Sequence, residues 1–265
     1  MQKRAVICHY HIYKNSGTSF SKLLEANFGD RHVNFDGPIA GFQINQDQLA
    51  EIIENNPEVI SISSHQIYLP APSTLNIRFI PAVFLRHPLM RIRSIFLFET
   101  SGDSEASVAL DMKDRLALFQ TWATERLSNP SQLLSLSNAQ ANQLSRAYCR
   151  APQMQIVNGA CIHDMDLAFN NTKLATCIAR TESYSEDVSL FESTLASNGI
   201  EFSSQLGATE NISSGDFDAP LKHRLEAFRA CMTHELWERL VDINQQDQAL
   251  YDFAGELIQR RAADQ

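Results

Sequence analysis

The chain is poor in cysteine, in positive charge and in long apolar runs, and each shortage removes a class of protein. Its five cysteines, Cys8, Cys149, Cys161, Cys177 and Cys231, show no CxxC pair and no other metal-ligand spacing. An odd, scattered set does not make a disulfide framework and reads as free thiols in a reducing compartment. No apolar run approaches the length that crosses a bilayer, and the first core segment begins at Arg4, leaving no room for a secretory leader. A soluble, cytoplasmic protein without integral membrane association is therefore expected. Lys and Arg number 22 against 31 Asp and Glu, a net charge of −9, which argues against a general nucleic-acid or anionic-membrane binder. There is no internal repeat and no linker rich in Gly, Pro or Ser, so a single domain over residues 1–265 is expected.

What is present is ordered. At 265 residues and 44% hydrophobic content the chain can bury a sizeable core. Residues 1–100 carry 9 basic and 8 acidic side chains, whereas residues 101–265 carry 13 and 23, so an anion site belongs in the first hundred residues. "RAVICHY" (4–10) reads as a buried strand and Gly17 to Asn27 as a helix. A helix follows over 47–56, with Leu49, Ile52 and Ile53 on one face, closed by Pro57. Strands are expected at 58–65 and 77–86, and a helix at 88–99 with proline in its first turn. Strand–helix alternation predicts an α/β fold, a central parallel sheet flanked by helices. Beyond Gly102 the pattern is helix-rich: 111–127 with Met112, Leu116, Phe119 and Trp122 on one stripe, 138–149, a strand at 173–180, a capped helix at 185–199 ending at glycine, then helices at 220–240 and 244–261.

Two stretches carry chemistry. "HIYKNSGTS" (11–19) lies between the first strand and the first helix. Such a junction aims backbone N–H groups and the positive end of a helix dipole at an anion. Gly17 permits close approach, Thr18 and Ser19 add hydroxyl donors, and Lys14 adds a mobile charge. The Gly-Lys-Ser/Thr ending of a Walker loop is missing. In the second stretch, "RHPLMRIRS" (86–94), Arg86 ends a strand and Ser94 lies about two turns into the next helix. Ligands of open parallel sheets bind outside the carboxyl ends of the strands, so both stretches are expected to face one crevice. Arg91 and Arg93 read as solvated or salt-bridged helix positions, and His9 and His11 as residues that shape the loop.

Together these stretches resemble the sulfotransferases that use 3′-phosphoadenosine 5′-phosphosulfate (PAPS), in particular the carbohydrate branch. Its first loop is often H-I-x-K-x-x-G-T-[ST], and its second motif is a strand-end arginine, a proline, and a serine eight residues after the arginine. Many members have aspartate where this chain has His87. Weaker similarity lies in "ARTESYSEDVSLFESTL" (179–195) and "NQQDQALYDFA" (244–254). The resemblance implies a P-loop-like nucleotide fold and assigns Lys14, Asn15, Ser16, Gly17, Thr18 and Ser19 to the 5′-phosphosulfate, with Arg86 and Ser94 on the 3′-phosphate. It implies sulfuryl transfer to an acceptor hydroxyl on a glycan or glycolipid, without a metal, and acceptor contacts from about 35–45, 65–75 and the helical middle. Lys14 would stabilise the leaving oxygen. His65, at the end of the 58–65 strand, is the expected base, Glu99 the alternative, and Glu182 a structural residue. Two other readings remain open, a kinase-like phosphotransferase and a nucleotide-binding protein without turnover.

Overall fold

The computed structural model describes residues 3–39, 41–100, 116, 118–146, 155–206 and 219–264. Strands and helices alternate first: β1 (Arg4–Tyr10), α1 (Gly17–Phe28), β2 (His32–Asn34), α2 (Gln46–Glu54), β3 (Ser61–Ser64), β4 (Ile77–Leu85) and α3 (Pro88–Thr100). Three helices follow, α4 (Phe119–Leu127), α5 (Pro130–Leu136) and α6 (Ala139–Leu144), then a hairpin of β5 (Gln155–Val157) and β6 (Ala160–Ile162). The chain returns to the sheet through α7 (Met165–Leu174) and β7 (Cys177–Arg180), and continues with α8 (Tyr184–Ala196), α9 (Leu221–Arg229), α10 (His234–Asp242) and α11 (Gln245–Ala263).

The sheet is entirely parallel in the order β2-β3-β1-β4-β7. Its central strand is covered on both faces, as the unbroken apolar run requires. Val6, Cys8 and Tyr10 point into one layer with Leu49, Ile53, Val83, Leu250 and Ile258. Ile7 points into the other with Phe20, Leu24, Phe84, Phe191 and Leu195. A third cluster, around Phe96, Phe119, Phe228 and Leu240, joins α3 to the later helices. From β1 the chain moves outward to β2 and β3, then crosses back to β4 on the other side. The connections leaving β1 and β4 therefore diverge, which puts the crevice expected of open parallel sheets at their carboxyl ends.

Several boundaries differ from expectation. The helix expected over 220–240 is broken at 230–233, where the Thr233 hydroxyl accepts from Leu236 N–H and starts α10 afresh. The helix expected over 185–199 ends at Ala196, and its N-terminal Ser183 makes no side-chain cap. β2, the β5–β6 hairpin and α7 had no strong periodic signal. Met112, Cys149 and most of the 111–118 segment lie outside the described residues. Cys8, Cys161 and Cys177 are buried thiols. Among the described residues no helix is long and apolar enough to cross a membrane.

Candidate active site

The crevice is bounded by the loop after β1, the carboxyl end of β4 and the residue following β3. Lys14 and Ser16 have φ of 65° and 58°. Among the described residues the other non-glycine positions with positive φ are both asparagines, which tolerate that conformation far better. Lys14 and Ser16 are thus held in a conformation that lysine and serine avoid, strain of the kind that clusters at binding and active sites. Ser16 begins α1, yet its side chain makes no capping bond to the first turn, and that turn carries no acidic residue. The helix end therefore keeps its electropositive character.

Side chains grip the loop through its carbonyl oxygens. His65 Nδ1 donates to His11 O at 2.9 Å, Arg91 Nε to Tyr13 O at 3.1 Å, and Arg86 Nη1 to Lys14 O at 3.0 Å. Asn15, 1% exposed, turns its amide inward and donates to Phe84 O at 2.8 Å and Gln140 Oε1 at 2.7 Å. With these acceptors occupied by donors, the loop presents a net positive edge. Gly17 is needed for a different reason: a Cβ there would meet the His11 ring at 1.8 Å. Thr18 is exposed and Ser19 half-buried on the first turn.

Behind the loop lies a polar hub that the sequence did not announce. Gln140 Oε1 also accepts from Arg86 N–H at 2.9 Å, and its Nε2 donates to Arg86 O at 2.9 Å. Asp247, 1% exposed, accepts from Gln140 N–H at 3.1 Å and Ala141 N–H at 2.7 Å. Burial raises its pKa, opposed by the nearby Arg91 charge. Arg86 also faces Glu182 at 3.7 Å, too long for a hydrogen bond, and both Arg86 Nε and Glu182 Oε1 are buried without a hydrogen-bond partner. Glu182 accepts from His87 N–H at 3.1 Å, in keeping with a structural role. Burial brings Arg86 down to about 10, opposed by Glu182 and reinforced by Arg224, Arg93 and Arg91, so it remains a cation at neutral pH.

The remaining expected residues divide clearly. Lys14 is half-buried, with Nζ 4.0 Å from the Phe98 ring centroid and 5.8 Å from that of Tyr13. Burial and then the Arg86 charge lower its pKa. Phe98 and Tyr13 are 57% and 41% exposed, so an aromatic pair flanks the ammonium at the mouth. Ser94 is half-buried in the second turn of α3. Arg91 and Arg93, expected at solvated or salt-bridged positions, are 5% and 8% exposed, and Arg91 also donates to Ser135 O at 3.0 Å. His87 borders a cavity of about 370 Å³ whose walls include Leu89, Leu225, Trp237 and Gln248.

The two candidate bases stand in different surroundings. His65 is exposed; its backbone N–H donates to Asp36 Oδ1 at 2.9 Å, and its ring stacks on His11 with centroids 3.8 Å apart. A carbonyl oxygen can only accept, so the bond to His11 O fixes the proton on Nδ1 and leaves the lone pair of neutral His65 on Nε2. Glu99 accepts from Trp122 Nε1 at 3.1 Å and pairs closely with Arg126. Its charge is thus already committed.

No family model matches the chain. An uncharacterized protein of Archaeoglobus fulgidus is 26% identical over 252 residues, spanning 94% of this chain and 95% of that protein.

Proposed function

We propose that the chain is a PAPS-dependent sulfotransferase with a P-loop-like nucleotide site, acting on a sugar hydroxyl of a glycan or glycolipid. The observation that carries this reading is the bond from Arg86 Nη1 to Lys14 O, which joins the two motif stretches at the carboxyl ends of β1 and β4. An uncapped helix N-terminus, a half-buried lysine and a half-buried arginine whose Nε has no hydrogen-bond partner suit a ligand with two separated anionic groups. The 14–19 loop would take the 5′-phosphosulfate, and Arg86 with Ser94 the 3′-phosphate.

In the reaction the acceptor oxygen bonds to sulfur as the bond between sulfur and the 5′-phosphate oxygen breaks. Lys14 neutralises the negative charge that grows on that leaving oxygen. The acceptor proton passes to the Nε2 lone pair of His65. Nothing in this sequence of events calls for a metal, and the loop with Lys14 supplies the positive charge that transfer of an anionic group needs.

Two measurements test the proposal. Thermal melts with 3′-phosphoadenosine 5′-phosphate should raise the melting point more than ATP does, since a ligand bound only by the native state stabilises it. Radiolabelled transfer from PAPS should then mark a mono- or disaccharide or a glycolipid headgroup, and not simple alcohols or a tyrosine peptide. A larger shift with ATP would favour a kinase-like enzyme, and a shift without transfer to any acceptor a binding protein without turnover.

A further inference from the structure

Three histidine rings lie in a row between the anion loop and the end of β3. His9 stacks on His11 with centroids 5.0 Å apart and planes 18° apart, and His11 stacks on His65 at 3.8 Å and 28°. The inner end of the row is anchored: His9 is fully buried, its Nδ1 is 2.9 Å from Ser63 Oγ, and Phe20 and Phe84 meet its ring edge-on. The outer end is His65. His11 is therefore clamped on three sides, by His9, by His65 and by Gly17, where even one added carbon would overlap the ring. Its backbone is pinned as well, since His11 N–H donates to Ser64 O at 3.0 Å and its carbonyl holds His65 Nδ1.

We infer that His11 is a positioning residue, a wedge that transmits the place of the anion loop to the ring of His65 and so fixes the direction of the Nε2 lone pair. The inference rests on the reading of His65 as the base. Geometry alone makes the coupling: the ring touching the loop glycine is the ring on which the base lies. The charged and titratable groups around this contact are Asp36, which holds the end of β3 through Ser64 Oγ and His65 N–H, Lys14 of the loop, and His9 behind. Burial, reinforced by His65 and Lys14 and opposed by Asp36, holds His11 down to about 3. His11 thus remains a neutral ring face when His65 takes up a proton, and two stacked imidazolium ions never form in the working range.

The test begins with histidine side-chain NMR, which reads the tautomer of His65 directly and needs no acceptor. In the wild type, neutral His65 should carry its proton on Nδ1. In His11→Ala the ring loses its support, and the signal should move toward the Nε2–H form that free imidazole prefers. His11→Phe, which keeps a flat ring over Gly17, should restore the Nδ1–H form. Release of 3′-phosphoadenosine 5′-phosphate from PAPS in the presence of the mono- and disaccharide panel should fall about 10²-fold in His11→Ala, as expected for a misplaced reacting group, and recover in His11→Phe. Affinity for the desulfated nucleotide should change little.

Gly17→Ala supplies the second arm, since it displaces the His11 ring with every histidine intact. It should shift the His65 tautomer in wild type but not further in His11→Ala, where the new methyl fills the vacated space. An unchanged His65 tautomer in both His11→Ala and Gly17→Ala overturns the positioning role, whatever happens to the rate. Shifted tautomers combined with full turnover in His65→Ala uphold the coupling and overturn the assignment of His65 as base.

Discussion

On one wall of the crevice, the 11–16 loop is held from behind by Asn15, Arg86, Arg91 and the Gln140–Asp247 hub, which draw on β4, α3, α6 and α11. On the other wall, an exposed His65 rests on one carbonyl and one neighbouring ring, with Asp36 behind its backbone. A network with this many buried bonds keeps its geometry without a ligand, because a displaced member would leave further polar groups unsatisfied beside Arg86 Nε and Asn15 Oδ1, which have no hydrogen-bond partner. An exposed ring with few bonds moves at little cost. The contrast fits a site whose anion half meets the same nucleotide every time and whose other half must fit round an acceptor.

The largest test of that contrast is Asp247→Ala. It leaves the buried N–H groups of Gln140 and Ala141 without their acceptor, each unsatisfied group typically costing about 1–3 kcal/mol, and removes a charge that offsets that of Arg91. Urea unfolding should show that loss in the midpoint at unchanged slope. Asp36→Ala, which removes two bonds at an exposed carboxylate, should lose only about 1 kcal/mol. Equal losses would mean that the two walls are equally rigid.

Lys14→Ala comes next and separates chemistry from anchoring on the rigid wall. Turnover should fall about 10²–10³-fold, typical of removing one donor that stabilises developing charge. Affinity for 3′-phosphoadenosine 5′-phosphate should fall much less, because the loop backbone and Arg86 are kept in place by bonds that do not involve the lysine side chain. A parallel drop in affinity and rate would reduce Lys14 to an anchor.

The same contrast explains what could be read from sequence. β1, α1, β4 and α3 follow from apolar runs and from the proline at Pro88, so the parallel sheet and its flanking helices were legible. At Gly17 the sequence pointed to a position needing a small residue, though the structural reason is the His11 ring; the positive φ of Lys14 carried no local signal. The hub was not legible: Asn15 and Gln140 stand 125 positions apart, and Gln140 and Asp247 a further 107, with no periodicity linking them. Arg91 was misplaced because a charged residue on a helix is usually solvated, whereas here it is buried against the carbonyl oxygens of Tyr13 and Ser135. β2 was invisible because its three residues, "HVN", present no apolar run.

A smaller effect comes from the buried histidines. Burial holds His9 well below the usual histidine range, His11 at about 3 and His87 at about 4. The unfolded chain, with histidines near 6.5, takes up protons that the folded chain refuses. Stability is therefore whole above about pH 6.5 and is lost as pH falls toward about 4, each such histidine contributing a slope of about 1.4 kcal/mol per pH unit. Asp247, raised by burial, works in the opposite sense, so the informative quantity is a difference. His11→Phe should unfold with a flatter dependence than wild type between pH 6.5 and 5, and identical slopes would place a proton on folded His11.

The smallest expected effect is that of Glu99→Gln, and it bears on the open wall. Glu99 lies near the end of α3, next in sequence to Phe98, and it is occupied by Arg126 and the Trp122 indole. A carboxylate held by a guanidinium is a poor proton acceptor, since taking a proton would break the pair. Neutralising Glu99 should cost about 1 kcal/mol of stability or less, the usual worth of a partly exposed ion pair. It should also leave in place the rate and the acid limb of its pH profile, the fall in rate expected at low pH as the base becomes protonated. His65→Ala should abolish that limb, because the lone pair that accepts the proton is gone while the loop, Lys14 and Arg86 keep their bonds. If instead the limb survives in His65→Ala and vanishes in Glu99→Gln, the base belongs to the helix and the exposed imidazole is a support for the loop. The open wall would then be α3, and the crevice would have to admit its acceptor from the side of Phe98.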